Sequence, residues 1–287
     1  MKLSVCTISF RHQLISIAEI ASFARQNHFQ GIELWGAHAK NLAEQPQYDQ
    51  HWLAGYGLKT SMLSDYLPLL ADEAVLYHKV QLLARLARHW GSEKIRTFAG
   101  AVGSSSLDGQ QRHALFSRLQ LVCDWLAPHG INLVIETHPN TYADSVSATQ
   151  QLFAEVNRSN MQLNFDVLHV WESGADIRAA LDALQELIHH FHFKNISDAA
   201  HLSVFAPDNV YAAAGSREGM VPIFDGVVDY AGFIDYLQQH PNARLRNLDA
   251  SLEWFGNHCK KILGRDRYLL QLQQQHNQSP ALVLPGA

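Results

Sequence analysis

Asn132-Leu-Val-Ile-Glu-Thr-His138 reads as a buried β-strand that ends on a carboxylate and an imidazole. Leu163-Asn-Phe-Asp-Val-Leu-His169, Phe191-His-Phe-Lys-Asn195 and Ser251-Leu-Glu-Trp-Phe255 follow the same plan, closing their apolar runs with Asp166, His192 and Glu253 where the first has Glu136. Strands with such ends make sense side by side in a closed parallel barrel, whose carboxyl ends converge on one mouth. Three carboxylates and one imidazole gathered there form a donor set for one divalent cation, so the pattern points to a metal-dependent enzyme.

Outward from these four stretches, apolar runs of strand character begin near Leu3, Gly31, Leu58, Lys94, Asn132, Met161, His189 and Asp249. Between most of them lies helical spacing, over residues 15–27, 73–90, 110–127, 147–156 and 177–187, with a final helix over 258–272. Strand followed by helix, repeated, is the pattern of parallel β-α units, and eight units with converging polar ends favour a single (β/α)8 TIM barrel over an open doubly wound sheet. No Pro/Ser-rich hinge divides the chain, so residues 1–272 are expected to form one α/β barrel domain, with 273–287 a disordered tail rich in Gln, Asn and Pro. Residues 196–230 break the rhythm with Pro207, Gly215, Gly219, Pro222 and Gly226. That segment is too long for a plain connection and carries Phe205, Tyr211 and Arg217, so it is expected to be a lid whose Phe205 and Arg217 face the substrate.

Composition removes other classes. With 287 residues, 47% of them hydrophobic, the chain is long enough to bury a large core without a covalent staple. A net charge of −5 and the absence of any Lys/Arg run argue against a nucleic-acid partner. Cys6, Cys123 and Cys259 are odd in number and far apart, which suits neither a disulfide framework nor a thiolate zinc site. Residues 1–10 run straight into a strand pattern without the features of a signal peptide, and no apolar stretch is long enough to cross a bilayer. A cytoplasmic enzyme acting on a small molecule is the expectation, and a homodimer is left open.

Strand parity assigns the inward faces, because side chains alternate along a strand. Val134, Glu136 and His138 share one face, as do Asn164 with Asp166, His190 with His192 and Lys194, and Ser251 with Glu253. Burying three carboxylates together is severely unfavourable without compensation, and a divalent cation supplies it. Oxygen donors with one imidazole suit Mn²⁺, Mg²⁺ or Co²⁺. The competing reading pairs each carboxylate with a basic residue or a helix N-terminus. His138, two residues from Glu136 on the same face, is the first candidate for general base or acid. Lys194 shares the face of His192, and His169 lies just past its strand, where a bulge would turn it into the pocket. Arg96 faces the axis if Phe98 does; it would bind a substrate carboxylate, or else pair with an inward Glu33.

Cys6-Thr-Ile-Ser-Phe-Arg-His-Gln-Leu-Ile15, Lys94-Ile-Arg-Thr-Phe-Ala-Gly100, Glu136-Thr-His-Pro-Asn140, His169-Val-Trp-Glu-Ser-Gly-Ala-Asp176, His192-Phe-Lys-Asn-Ile196 and Ser251-Leu-Glu-Trp-Phe-Gly256 resemble the 3-dehydroshikimate dehydratases of petrobactin siderophore biosynthesis. These are lyases of the xylose-isomerase-like barrel superfamily, and the resemblance covers nearly the whole chain. It implies the metal ligands Glu136, Asp166, His192 and Glu253, with manganese the favoured ion, and a pocket formed by Tyr66, Arg96, His138, His169, Lys194 and Phe205. The implied reaction removes the C4 proton of 3-dehydroshikimate to give an enediolate, expels the C5 hydroxyl, and aromatises the ring to 3,4-dihydroxybenzoate (protocatechuate). His138 would take the C4 proton, Lys194 or His169 would assist at the oxyanion or the departing hydroxyl, and Arg96 would hold the carboxylate. A metal-dependent sugar or hydroxy-keto acid isomerase or epimerase is the alternative enzyme, and a non-catalytic sugar-acid sensor the alternative class. Metal-dependent turnover separates enzyme from sensor.

Overall fold

The computed structural model describes residues 1–276. Eight parallel strands, β1 (Lys2–Cys6), β2 (Gly31–Trp35), β3 (Lys59–Ser64), β4 (Lys94–Thr97), β5 (Asn132–Glu136), β6 (Met161–Asp166), β7 (Ile188–Phe193) and β10 (Asp249–Leu252), close in the order β1-β10-β7-β6-β5-β4-β3-β2. Each begins within one residue of the start expected from the sequence.

Helices α1 (Ile17–Gln26), α2 (Gly36–Ala43), α3 (Gln50–Gly55), α4 (Glu73–Trp90), α5 (Gly109–Leu126), α6 (Val146–Val156), α7 (Val167–Glu172), α8 (Ile177–Leu184), α9 (Pro207–Tyr211), α10 (Tyr230–Gln239) and α11 (Cys259–His276) lie outside the strands or over the barrel's mouth. α4 shows why they form: Leu76, Val80, Leu83, Ala84, Ala87 and Trp90 make one buried stripe at three- and four-residue spacing, and Gly91 ends the helix in the left-handed region at φ 67°. Five of these helices do not follow from the sequence pattern, because α2, α3, α7 and α9 have five to eight residues and α10 follows the segment 196–230 without a break. The last helix runs to His276, past the expected end at Leu272, so the first residues of the expected tail are helical; residues 277–287 lie outside the described residues.

Two interiors result. Outward strand residues such as Ile32, Leu63, Ile95, Leu133, Phe165, Phe191 and Leu252 pack under the helices as the apolar core. The barrel's own lumen is polar, with Ser4, Glu33, Ser64, Arg96, Glu136, Asn164, Asp166, His190, His192 and Ser251 all buried. Such groups persist when partnered. The strands supply several of the partners across the lumen: Ser251 meets His190 Nε2 at 2.8 Å, Ser64 donates to Glu33, and Glu33 meets His192 Nε2 at 2.9 Å.

After β7 comes the segment expected to be a lid. β8 (Asn195–Ile196) and β9 (Met220–Val221) pair antiparallel at its neck, which Asn195 closes by donating to the carbonyls of Ile223 and Val228 at 2.7 and 2.9 Å. The crown, a 3-10 turn over Ala199–Phe205 and then α9, folds back on the mouth. Tyr211 stacks on Trp35 at 5.8 Å, and Arg11 donates from Nε to the Val210 carbonyl at 2.6 Å.

Candidate metal centre and active site

β5 and β6 end on Glu136 and Asp166, β7 carries His192 one residue before its end, and Glu253 directly follows β10. One donor atom from each of these four buried residues lies within 4.8 Å of the others. His192 Nδ1 stands 3.3 Å from Glu136 Oε1, 3.6 Å from Glu253 Oε1 and 3.9 Å from Asp166 Oδ2. Its Nε2 lies 2.9 Å from Glu33 Oε2, and the other oxygen of Glu33 accepts from Ser64. A carboxylate can only accept, so Nε2 carries a proton, and in the neutral form that a metal ligand takes the ring would aim its Nδ1 lone pair at three carboxylates. Nδ1 has no well-aligned hydrogen-bond partner. Three carboxylates and an imidazole nitrogen converging on one point are a set that would hold a divalent cation, with Lys194 and Arg96 bringing further positive charge to the same carboxylates, and Glu33 orients the imidazole from behind as outer carboxylates do in metal sites. The field agrees: burial would lower the His192 pKa, but Glu33, Glu253 and Glu136 hold it well above the ordinary histidine value, so this spot favours positive charge.

Two basic groups border the cluster. Burial would depress Lys194, yet Asp166, Glu253 and Glu136 hold it well above the ordinary lysine value, with Nζ 2.6 Å from Asp166 Oδ2 and 2.9 Å from Glu253 Oε2. Arg96 places Nε 3.0 Å from Glu136 Oε2 and packs against Tyr66 and Phe98 at 5.7 and 5.3 Å. Its Nη1 is buried without a hydrogen-bond partner among the described residues. The alternative pairing of Arg96 with Glu33 does not occur, because Glu33 is occupied by His192 and Ser64.

His138 follows β5 on the inward face, its ring 4.3 Å from Phe98 and 4.3 Å from His169. Nδ1 lies 2.7 Å from the Pro139 carbonyl, which fixes the proton there and leaves Nε2 as the lone pair. Burial, then His169, pushes its pKa down to about 3, so the ring is neutral at physiological pH. His169 reaches the site by a different route from the expected bulge. Asp166 caps α7, its Oδ1 accepting from the His169 N–H at 3.2 Å, and so brings His169 into the first helical turn beside the pocket. Burial, then Lys194, lowers the His169 pKa to about 4.

Tyr66, Arg96, Glu136, His138, Lys194, Phe205 and Glu253 line a cavity of about 30 Å³ beneath the lid. Beside it, His138, His169, Glu172 and Phe205 help to line a vestibule of about 560 Å³. Phe205 lines both, 5.5 Å from Lys194 Nζ and 6.2 Å from His169. Arg217 is in the lining of neither; its guanidinium donates to the carbonyls of Asn209, Ala212 and Ser216 and staples the segment internally. The sequence shows an arginine in the lid but not the turn carbonyls that claim it.

Sequence reasoning also missed Glu33 as the partner of His192 and Glu172 as the partner of His169. Parity did place Glu33 inward, and Glu172 stands three residues after His169, one helical turn away.

Residues 21–273 match the model of the xylose isomerase-like TIM barrel family. A relative from Bacillus anthracis named 3-dehydroshikimate dehydratase is 45% identical over 278 residues, which span 94% of this chain and 96% of that protein. The crystal structure of a probable 3-DHS dehydratase involved in petrobactin synthesis in the same organism superposes with a TM-score of 0.89 at 45% identity, covering 94% of this chain and 99% of that one. An L-ribulose 3-epimerase shares the fold at TM-score 0.70 and 16% identity, over 96% of this chain and 95% of its own.

Proposed function

This chain belongs to the xylose isomerase-like TIM barrel family, and we propose that within it the chain acts as a hydro-lyase that converts 3-dehydroshikimate to 3,4-dihydroxybenzoate and water. The observation that carries this reading is the 4.8 Å cluster of Glu136, Asp166, His192 and Glu253, with a neutral His138 and the cations Lys194 and Arg96 around it, in a chain 45% identical to such an enzyme over 94% of its length. A divalent cation held by those four residues, Mn²⁺ before Mg²⁺ or Co²⁺, would supply Lewis acidity toward the oxygens at C3 and C4.

The remaining work falls to side chains. Arg96 offers Nη1 to the ring carboxylate while its Nε stays with Glu136, and the Tyr66 and Phe98 rings hold the guanidinium in place. His138 Nε2 accepts the C4 proton. The ring is neutral at physiological pH, so that lone pair is free to take the proton, and the ketone, with the cation bound, would acidify the C–H it attacks. Lys194, kept charged by its carboxylates, gives a proton to the departing C5 hydroxyl, which leaves as water. Phe205 and Pro207 of the lid keep bulk water from the pocket. Supply of dihydroxybenzoate for siderophore assembly fits the petrobactin role described for the Bacillus anthracis protein.

The test is ultraviolet absorbance of purified protein mixed with dehydroshikimate. Product should form with Mn²⁺, cease on chelation, and resume with Mn²⁺, Mg²⁺ or Co²⁺. Interconversion of a keto and an aldo sugar, with dehydroshikimate untouched, would instead make the site an isomerase.

A further inference from the structure

α7 carries polar side chains at three-residue intervals: Asp166 at its cap, His169 in its first turn and Glu172 at its end. Residues at this spacing stack along one helical face. Asp166 spends Oδ1 on the His169 N–H and leaves Oδ2 to the donor cluster. Glu172 Oε2 lies 2.7 Å from His169 Nδ1, with the Glu172 side chain 22% exposed on the vestibule wall. An ionised carboxylate has lone pairs and no proton, so this contact requires the proton on Nδ1 and leaves the lone pair of the neutral ring on Nε2. That Nε2 is buried and has no hydrogen-bond partner among the described residues. The adjacent His138 is arranged likewise, with Nδ1 tied to the Pro139 carbonyl.

We propose that Glu172 is a positioning residue that locks His169 in the Nδ1–H tautomer, so that His169 Nε2 stands beside His138 as a second proton acceptor. The proposal rests on the dehydratase reading, and that reaction has use for two acceptors. One C–H is broken at C4 before water leaves, and a second at C6 as the ring becomes aromatic. In the second step the C6–H electron pair forms the C6=C1 bond, the C1=C2 pair moves between C2 and C3, and the C3 oxygen takes up a proton. His169 receives the C6 proton while the proton taken from C4 is on His138, Lys194 having protonated the departing hydroxyl, and the two imidazolium protons then go to the C3 oxygen and back to Lys194.

The experiment compares wild type, Glu172→Gln, Glu172→Ala and His169→Asn as Mg²⁺-loaded, ¹⁵N-histidine-labelled protein, the His169 signals being those that His169→Asn removes. Wild type and Glu172→Gln should both show the Nδ1–H pattern, since a glutamine oxygen accepts the same proton. Glu172→Ala should shift toward Nε2–H. It should also lose on the order of tenfold to a hundredfold in kcat, with KM within about twofold and Glu172→Gln recovering most of the rate. An unchanged tautomer in Glu172→Ala, or a raised KM with kcat intact, overturns the positioning role, and a fully active His169→Asn overturns the second acceptor. If wild type itself leaves dehydroshikimate unchanged, the dehydratase reading fails and the ¹⁵N spectra still decide what Glu172 does to His169.

Discussion

Glu136 and His138 sit two residues apart on one face of β5, and substitution separates their roles. His138→Ala should keep near-normal metal content, since its ring is absent from the donor cluster, yet lose on the order of 10² to 10⁴ in turnover, the usual worth of a positioned acid or base. Glu136→Ala should lose the metal, and it also leaves the Arg96 guanidinium buried without its carboxylate, so its melting temperature should drop as well. Metal analysis, melting curves and rates on both proteins check this; full activity in metal-loaded His138→Ala would pass the C4 proton to His169 or Lys194. At this scale the sequence was legible wherever chemistry follows from facing inward. It was illegible wherever chemistry depends on a partner: parity put Glu33 and Arg96 in the lumen, but the choice of His192 for one and Glu136 for the other depends on strand stagger, which periodicity does not encode.

Among the elements, the segment over residues 196–230 is the one expected to act as a lid. The cavity over the donor cluster has about 30 Å³, too little for a carboxylated six-membered ring, while the vestibule beside it has about 560 Å³, so residues 196–230, which wall both, are expected to shift as substrate passes from one to the other. The Arg11 bond to Val210 and the Tyr211 stack on Trp35 hold α9 down and must part when it lifts. Amide hydrogen exchange in this segment should therefore be faster in free protein than with dihydroxybenzoate and metal bound, and Tyr211→Ala should narrow the difference by speeding exchange in the bound state. Equal exchange at saturation would remove the lid from the mechanism. The segment's length and its Gly and Pro content set it apart in the sequence, but its internal bonding was hidden, because the carbonyls that Arg217 binds, at Asn209 in α9 and at Ala212 and Ser216 after it, leave no mark on the sequence. Helix α7 was hidden for a related reason: its six residues carry too few turns for periodicity, and the capping carboxylate that starts it had already been read as a metal ligand.

Across the whole molecule, the strand-helix alternation was legible because the strands bury their outward faces under helices and so read as apolar runs. What holds the barrel's mouth to its last helix was not, and it makes stability depend on pH. Asp266, on α11, is buried with Oδ2 accepting from the Ile223 N–H at 3.2 Å at the base of the lid, next to the Arg265 pairing with Asp225. Burial pushes its pKa from the ordinary 3.8 up to about 7, against the opposing pull of the Ile223 N–H and Arg265. The folded state thus binds this proton more tightly than the unfolded chain does. Below about pH 3.8 the group is protonated in both states and imposes no penalty; as pH rises toward 7 the unfolded chain gains by ionising first, and above 7 the loss is complete. Its ceiling is about 4 kcal/mol, at 1.36 kcal/mol per unit. Asp266→Asn keeps an oxygen for Ile223 and cannot ionise, so the stability of the variant relative to wild type should rise by a few kcal/mol between roughly pH 4 and pH 8, where the pH dependence of all other groups cancels. Denaturant unfolding of the two proteins at both pH values measures it, and a difference that does not change with pH would mean that Asp266 ionises in the folded protein as readily as in the unfolded chain.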